Sequence, residues 1–311
     1  MDYDVVVVGS GVIGLATAYA LRCRGWRTVV LERSARPARE SSWAGAGMLA
    51  PNAEVLPDTR WRDVAFAALA AYPQWVRELE SRSGVPIDLR LCGTREWRGG
   101  GWVDYPDEGI VDPRDLTAAL ARLVLVETVT PVDGWVEDAQ CVTVQGRRAR
   151  CLLIATGAWS GCFPGLPAAF PVRGHMLAYR LPPGSLGPVL RREHTYILQR
   201  SSGLTLVGST EQRAGFDRTL QPGVLAELAA RGAALWPELA GRPWDDAWLG
   251  FRPATPSGLP EMGRWQERRI WLGYGHYRNG ILLAPKVAEW LADSISGFLE
   301  QEAGPGAAPW P

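Results

Sequence analysis

At 311 residues, with 33 basic and 33 acidic side chains, 47% hydrophobic and 21% charged residues, the chain exceeds one compact core and favours a two-domain globular protein over a disordered one. Balanced charge without like-charge runs excludes a nucleic-acid footprint or a polybasic membrane patch, and no stretch reaches transmembrane length. The five cysteines (Cys23, Cys92, Cys141, Cys151, Cys162) lack C-x-x-C spacing, and Met1-Asp-Tyr-Asp4 carries acid where a signal peptide carries base, so a cytoplasmic protein without a disulfide framework is expected.

The first element is a β-branched strand over 4–8, closed by Gly9. A helix follows over 14–24, stopped by Gly25, then a second strand over 27–32, so the chain opens on a βαβ unit. Gly9, Gly11 and Gly14 form a G-x-G-x-x-G loop. The first makes the tight turn, the second lets backbone approach a pyrophosphate, and the third allows close helix packing. Glu32 lies 18 residues past Gly14 (32 − 14), where a ribose diol is accepted. Its charge disfavours NADP without separating NAD from FAD. The stretch Ser41-Ser-Trp-Ala-Gly-Ala-Gly-Met-Leu-Ala-Pro51 is too small and glycine-rich for a core helix and suits wrapping a flat ring.

From 60 to 82, apolar positions including Trp61, Val64, Ala68, Tyr72, Val76 and Leu79 recur at helical spacing, and Pro73 is expected to kink or divide that helix. A strand over 151–155 leads into Thr156-Gly-Ala-Trp-Ser160. Residues 196–199 and 204–207, around Ser201-Ser-Gly203, read as a hairpin of a second, mainly antiparallel region. A buried strand over 270–274 and an amphipathic helix with Ile281, Leu282, Val287, Leu291 and Ile295 follow, and the 304–311 tail has a composition that cannot sustain a helix. His175, His194 and His276 lack metal-ligand spacing, so no metal is expected.

Four separated segments carry a family resemblance: the N-terminal loop with Leu31-Glu-Arg33, Ala44-Gly-Ala-Gly-Met-Leu49, Ala155-Thr-Gly-Ala-Trp-Ser160, and the pair Gly250-Phe-Arg-Pro253 with Gly275-His-Tyr-Arg-Asn-Gly-Ile-Leu-Leu-Ala-Pro285. In these the chain resembles the glycine oxidase branch, of the thiamine pathway, within the D-amino acid oxidase-like flavoproteins. The resemblance implies a mixed α/β fold. A Rossmann-like FAD-binding domain would span 1–86, 108–170 and 251–311, and a mainly antiparallel substrate domain 87–107 and 171–250.

The same resemblance implies that Arg252 clamps a substrate carboxylate, that Tyr196 supports it, and that Arg278 lies in the loop lining the substrate amine. Met48, His194, Glu211 and Tyr277 complete the substrate pocket. Cofactor contacts fall to Gly9, Gly11, Val12, Ile13, Gly14, Glu32, Arg33, Ser41, Ser42, Ala46, Gly47, Met48, Thr156, Gly157, Trp159, His276, Asn279, Gly280 and Ile281, with Arg252 and Arg278. A guanidinium suits the clamp because it grips a carboxylate bidentately and fixes the α-carbon. Gly280 should start the last helix, whose positive end stabilises negative charge on a reduced flavin.

The implied reaction oxidises glycine, sarcosine or a small D-amino acid with O2, giving an imino acid and hydrogen peroxide. A dehydrogenase passing electrons to a quinone or carrier, and a non-catalytic flavin-binding subunit, are the alternatives; a homo-oligomer is left open. The segment over 252–263 holds no cysteine, so FAD should be noncovalent, and the single lysine, Lys286, sits in the closing helix. The region over 89–108 is shorter than the family pattern, which implies a more open site. Glu211 stands where an apolar residue is expected, and solvent is the favoured direction for its side chain.

Overall fold

The N-terminal strand Tyr3–Val8 shows how the chain sorts its apolar side chains. Successive strand residues face opposite ways. Val5 and Val7 therefore pack among helices, whereas Val6 and Val8 join Val29, Leu31, Leu152 and Ile154 on the other face. A continuous apolar run is what a parallel strand covered on both sides requires. The computed structural model describes residues 1–54 and 58–303; the 304–311 tail lies outside them. Tyr3–Val8 pairs in parallel with Thr28–Leu31 and with Arg147–Ile154, and the latter pairs in parallel with Ile270–Tyr274. Leu125–Glu127 extends the parallel order, and Glu261–Arg264 adds an antiparallel edge.

The helices are α1 (Val12–Cys23), α2 (Ser41–Ala44), α3 (Thr59–Ser83), α4 (Pro113–Leu123), α5 (Pro222–Leu235) and α6 (Gly280–Ala303). Side chains of α1, α3, α4 and α6 share one buried cluster with Val5 and Val7. Their ends follow local chemistry: Asp58 accepts from the Trp61 N–H at the start of α3, and Gly84, at φ 70°, closes it. Pro113 opens α4 behind the Asp112 cap. Of the two outcomes expected at Pro73, a kink or a division, the helix is not divided: α3 runs through it. Leu69, Tyr72, Val76 and Leu79 are all buried, and packing along that face outweighs the roughly 3 kcal/mol that an interior proline costs.

The second sheet has seven strands in the order Asp246–Ala254, Phe170–Arg180, Leu204–Gly208, Thr195–Gln199, Val189–Arg192, Thr94–Arg98, Gly101–Tyr105. All neighbours are antiparallel except Val189–Arg192 with Thr94–Arg98. The hairpin read over 196–199 and 204–207 is present. Period two again divides the faces: Leu177, Tyr179 and Val207 pack under α5, while Met176, Tyr196, Leu206 and Trp248 pack with Ala44, Ala46 and Ile110. Position 251, the domain boundary expected from sequence, lies inside the strand Asp246–Ala254. A small third sheet joins Met48–Leu49, Gly109–Val111 and Leu89–Arg90. No described helix is long and apolar enough to cross a membrane.

Candidate active site

The parallel strands end in loops at Gly9, Glu32 and Ala155, and these border a cavity of about 500 Å³ whose other wall is the second sheet at Met176, Tyr196, Gly250 and Arg252. This is the place where an open parallel sheet takes its ligands. Gly9 sits at φ 102°, and a Cβ there would press on the Ala155 carbonyl. The Glu32 carboxylate accepts from Ser10 N at 3.2 Å, Ser10 Oγ at 2.5 Å and Ser34 N at 2.8 Å, which fixes it beside the loop with lone pairs to spare.

Every substrate or cofactor residue expected from sequence lines this cavity except Gly14, Asn279, His194 and Glu211. Gly14 packs behind the loop, where a Cβ would overlap the Gly9 carbonyl. Asn279 is buried at the start of α6, its N–H on the His276 carbonyl at 2.8 Å and its own carbonyl taken by Leu283 N at 2.9 Å. His194 is exposed: it precedes the strand Thr195–Gln199 and lies in the turn, so the face alternation that turns Tyr196 inward does not reach it. Glu211 is exposed as well, with its carboxylate near the Tyr277 hydroxyl. Burial, and after it the Glu211 carboxylate, push the Tyr277 phenol up to about 12.

Arg252 and Arg278 line the same cavity in different electrostatic states. Arg252 donates to Thr210 O at 3.1 Å and Ser209 Oγ at 2.5 Å, and no carboxylate pairs with it among the described residues. Burial pulls its pKa down from the ordinary guanidinium value, yet a guanidinium stays charged in a protein. Arg278 instead meets Glu54 at 3.0 Å and 3.1 Å. Tyr196 donates to Met176 Sδ at 3.2 Å and neighbours Ser209; burial raises its pKa. His276 lines the cavity with its Nε2 buried and unpartnered among the described residues, and burial holds its pKa at about 4.

Sequence reasoning missed Glu54, Ser209, Gly174 and Gly208, all of which shape this end of the cavity. A Cβ on Gly174 would overlap the Arg252 guanidinium, and one on Gly208 the Tyr196 ring. Interior strand glycines are the one signal that could have marked them, because they often record a close approach. Glu54 stands in a loop without periodicity, and nothing local distinguishes it.

Fold and site define a dinucleotide-binding protein whose parallel sheet faces an antiparallel one across a ligand cavity. The chain belongs to the FAD dependent oxidoreductase (DAO) family, whose model matches residues 4–98 and 94–294. It is 32% identical to the bifunctional protein ThiO/ThiG of Synechocystis sp. over 97% of this chain and 52% of that protein. The chain thus spans about half the length of that relative. It is also 32% identical to a glycine oxidase of Pseudomonas aeruginosa, over 96% of each chain. The crystal structure of glycine oxidase from Geobacillus kaustophilus superposes with a TM-score of 0.89 at 28% identity, covering 95% of both chains.

The family's cofactor is FAD, and the site fits it. Glycines leave backbone open at the strand ends, Glu32 supplies a fixed acceptor, and the first turn of α6, where a helix leaves its N–H groups without intrahelical partners, borders the cavity at Gly280 and Ile281. The orphaned His276 Nε2 also awaits a polar partner there.

Proposed function

We propose that this chain is an FAD-dependent oxidase of glycine and comparably small amino acids, such as sarcosine and small D-amino acids, with O2 as acceptor. The observation that carries the reading is Arg252, a half-buried cation that lines the cavity and donates only to neutral oxygens. A buried charge without a counter-charge is costly, and a substrate carboxylate offsets that cost. The glycine oxidase names of relatives that match nearly the whole chain support the substrate class.

For glycine the balance is glycine + O2 + H2O → glyoxylate + ammonia + H2O2. The α-carbon C–H bond breaks with its electron pair, and nitrogen forms a double bond to that carbon before water releases the oxo acid. When bound, FAD supplies the two-electron acceptor. Arg252 holds the carboxylate bidentately and thereby fixes the α-carbon. Tyr196 and Tyr277, both raised above their ordinary pKa, remain protonated and able to donate. His276 stays neutral above about pH 4, and the positive end of α6 favours negative charge at its N-terminus.

We assign cofactor binding to the parallel sheet with its helices and substrate binding to the antiparallel sheet, with the reaction in the cytoplasm. No residue of 89–108 lines the cavity, which supports substrates larger than glycine. Peroxide formed per glycine consumed under air is the test. A ratio near one supports the oxidase, whereas glycine-dependent dye reduction with little peroxide would reject it in favour of a dehydrogenase.

A further inference from the structure

Glu54 stands at the cavity wall with its side chain 7% exposed, between two guanidiniums. Its Oε2 meets Arg278 Nε at 3.0 Å, and its Oε1 receives both Arg278 at 3.1 Å and Arg191 at 3.1 Å. Arg191, equally buried, has Glu96 as a second carboxylate at 3.6 Å. Glu96 is also met by the exposed Arg98 at 3.7 Å, so the connected group holds three cations and two anions, with Glu54 the carboxylate that faces Arg278. The loop that carries Glu54 is pinned as well: Asn52 N donates to the fully buried Glu108 at 2.7 Å, and Glu54 N to the Ala50 carbonyl at 3.0 Å.

We infer that Glu54 sets the substrate class of this site: by neutralising Arg278 it leaves Arg252, beside Tyr196 and Ser209, as the one guanidinium at this end of the cavity without a carboxylate partner among the described residues, so that amino monocarboxylates are selected over amino diacids. The inference rests on the reading of Arg252 as the carboxylate clamp. A second substrate carboxylate approaching Arg278 meets the Glu54 charge in a buried, weakly screened site, and it must either displace a bidentate partner or be repelled. Specificity here is a built-in repulsion, and removing the repelling carboxylate unmasks a second anion site.

The test is titration of the FAD-loaded protein with acetate, malonate and succinate, read as perturbation of the flavin absorbance. In the wild-type chain neither dicarboxylate is expected to bind more tightly than acetate. Glu54→Gln should raise the dicarboxylate-to-acetate affinity ratio by about tenfold or more, equivalent to about 1.4 kcal/mol, and kcat/KM for D-aspartate relative to D-alanine should rise with it. Adding Arg278→Met to Glu54→Gln should return the ratio to its wild-type value, a response that a merely structural role would not give. Because removing one partner of a buried pair can prevent folding, Glu54→Gln/Arg191→Gln removes one charge of each sign and still unmasks Arg278. A wild-type preference for malonate, or an unchanged ratio in either folded variant, overturns the inference. Acetate binding that survives Arg252→Met overturns the clamp and this inference with it, so the two failures are distinguishable.

Discussion

A guanidinium that is half-buried among neutral oxygens holds its charge ready for an anion, and Arg252 has that setting. Arg252→Met is expected to lower kcat/KM for glycine by about a hundredfold or more, since a bidentate charge-assisted pair contributes roughly 3 kcal/mol. Arg252→Lys should recover little, because an ammonium cannot reproduce the planar fork; steady-state kinetics check both. His276 carries a pH prediction. Its folded pKa of about 4 lies below the ordinary 6.5, so the unfolded chain binds the proton first as pH falls. Stability is full above about 6.5, is lost progressively down to about 4, and loses nothing further from this group below that. The loss is at most about 3 kcal/mol, and denaturant unfolding across this range should show a shallower pH slope in His276→Gln. Arg252 was legible because it stands in the Gly250-Phe-Arg-Pro253 segment. Gly174, which makes room for it, was not, because the register opposing Gly174 to Gly250 and Val172 to Arg252 is set across strands far apart in sequence.

Among elements, α6 shows how two helices complete each other. Pro285 lies inside α6 and has no N–H, so the carbonyl of Ile281, four residues earlier, lacks its usual donor. The fully buried Tyr72 hydroxyl of α3 donates to that carbonyl. Tyr72→Phe should therefore cost about 1–3 kcal/mol, and less in a Pro285→Ala background, where a backbone N–H returns. A double-mutant cycle by denaturant unfolding measures the coupling. Periodicity made α3 and the strands of the 195–208 hairpin legible, since each buries a regular face. It left open whether Pro73 divides α3, because local propensity cannot weigh the packing of Leu69, Tyr72 and Val76 that carries the helix through it. Met48–Leu49 and Leu89–Arg90 are too short to carry any period, and their sheet was not foreseen.

At the scale of the molecule, the segment over 211–221 ties the two sheets together beside the cavity. Buried Arg173 anchors it through Asp217 at 2.6 Å and Gln212 at 2.8 Å. From it Phe216 stacks on Trp159 at 4.7 Å, and Arg218 reaches both oxygens of Glu40 at 2.8 Å, where Arg33 also binds at 2.8 Å. Trp159, Glu40 and Arg33 all line the cavity, so bound FAD should stabilise the folded chain, by about 2.7 kcal/mol at a hundredfold excess over Kd. Thermal unfolding with graded FAD reads this, and Phe216→Ala should weaken FAD binding more than Arg218→Ala, an exposed ion pair. The two-sheet architecture was legible because the glycine loop, the hairpin and the closing helix each announce themselves locally. The tie between the sheets was not, because it joins side chains that no local pattern relates.

The central claim is that Arg252 presents an amino acid to a bound flavin. It is tested most directly by mixing the FAD-loaded protein with glycine, sarcosine or D-proline without oxygen and following the flavin absorbance. The expected result is bleaching in the wild-type protein, slowed by about a hundredfold or more in Arg252→Met at subsaturating substrate. A bound flavin that none of these substrates bleaches, or one bleached equally fast in Arg252→Met, would contradict it.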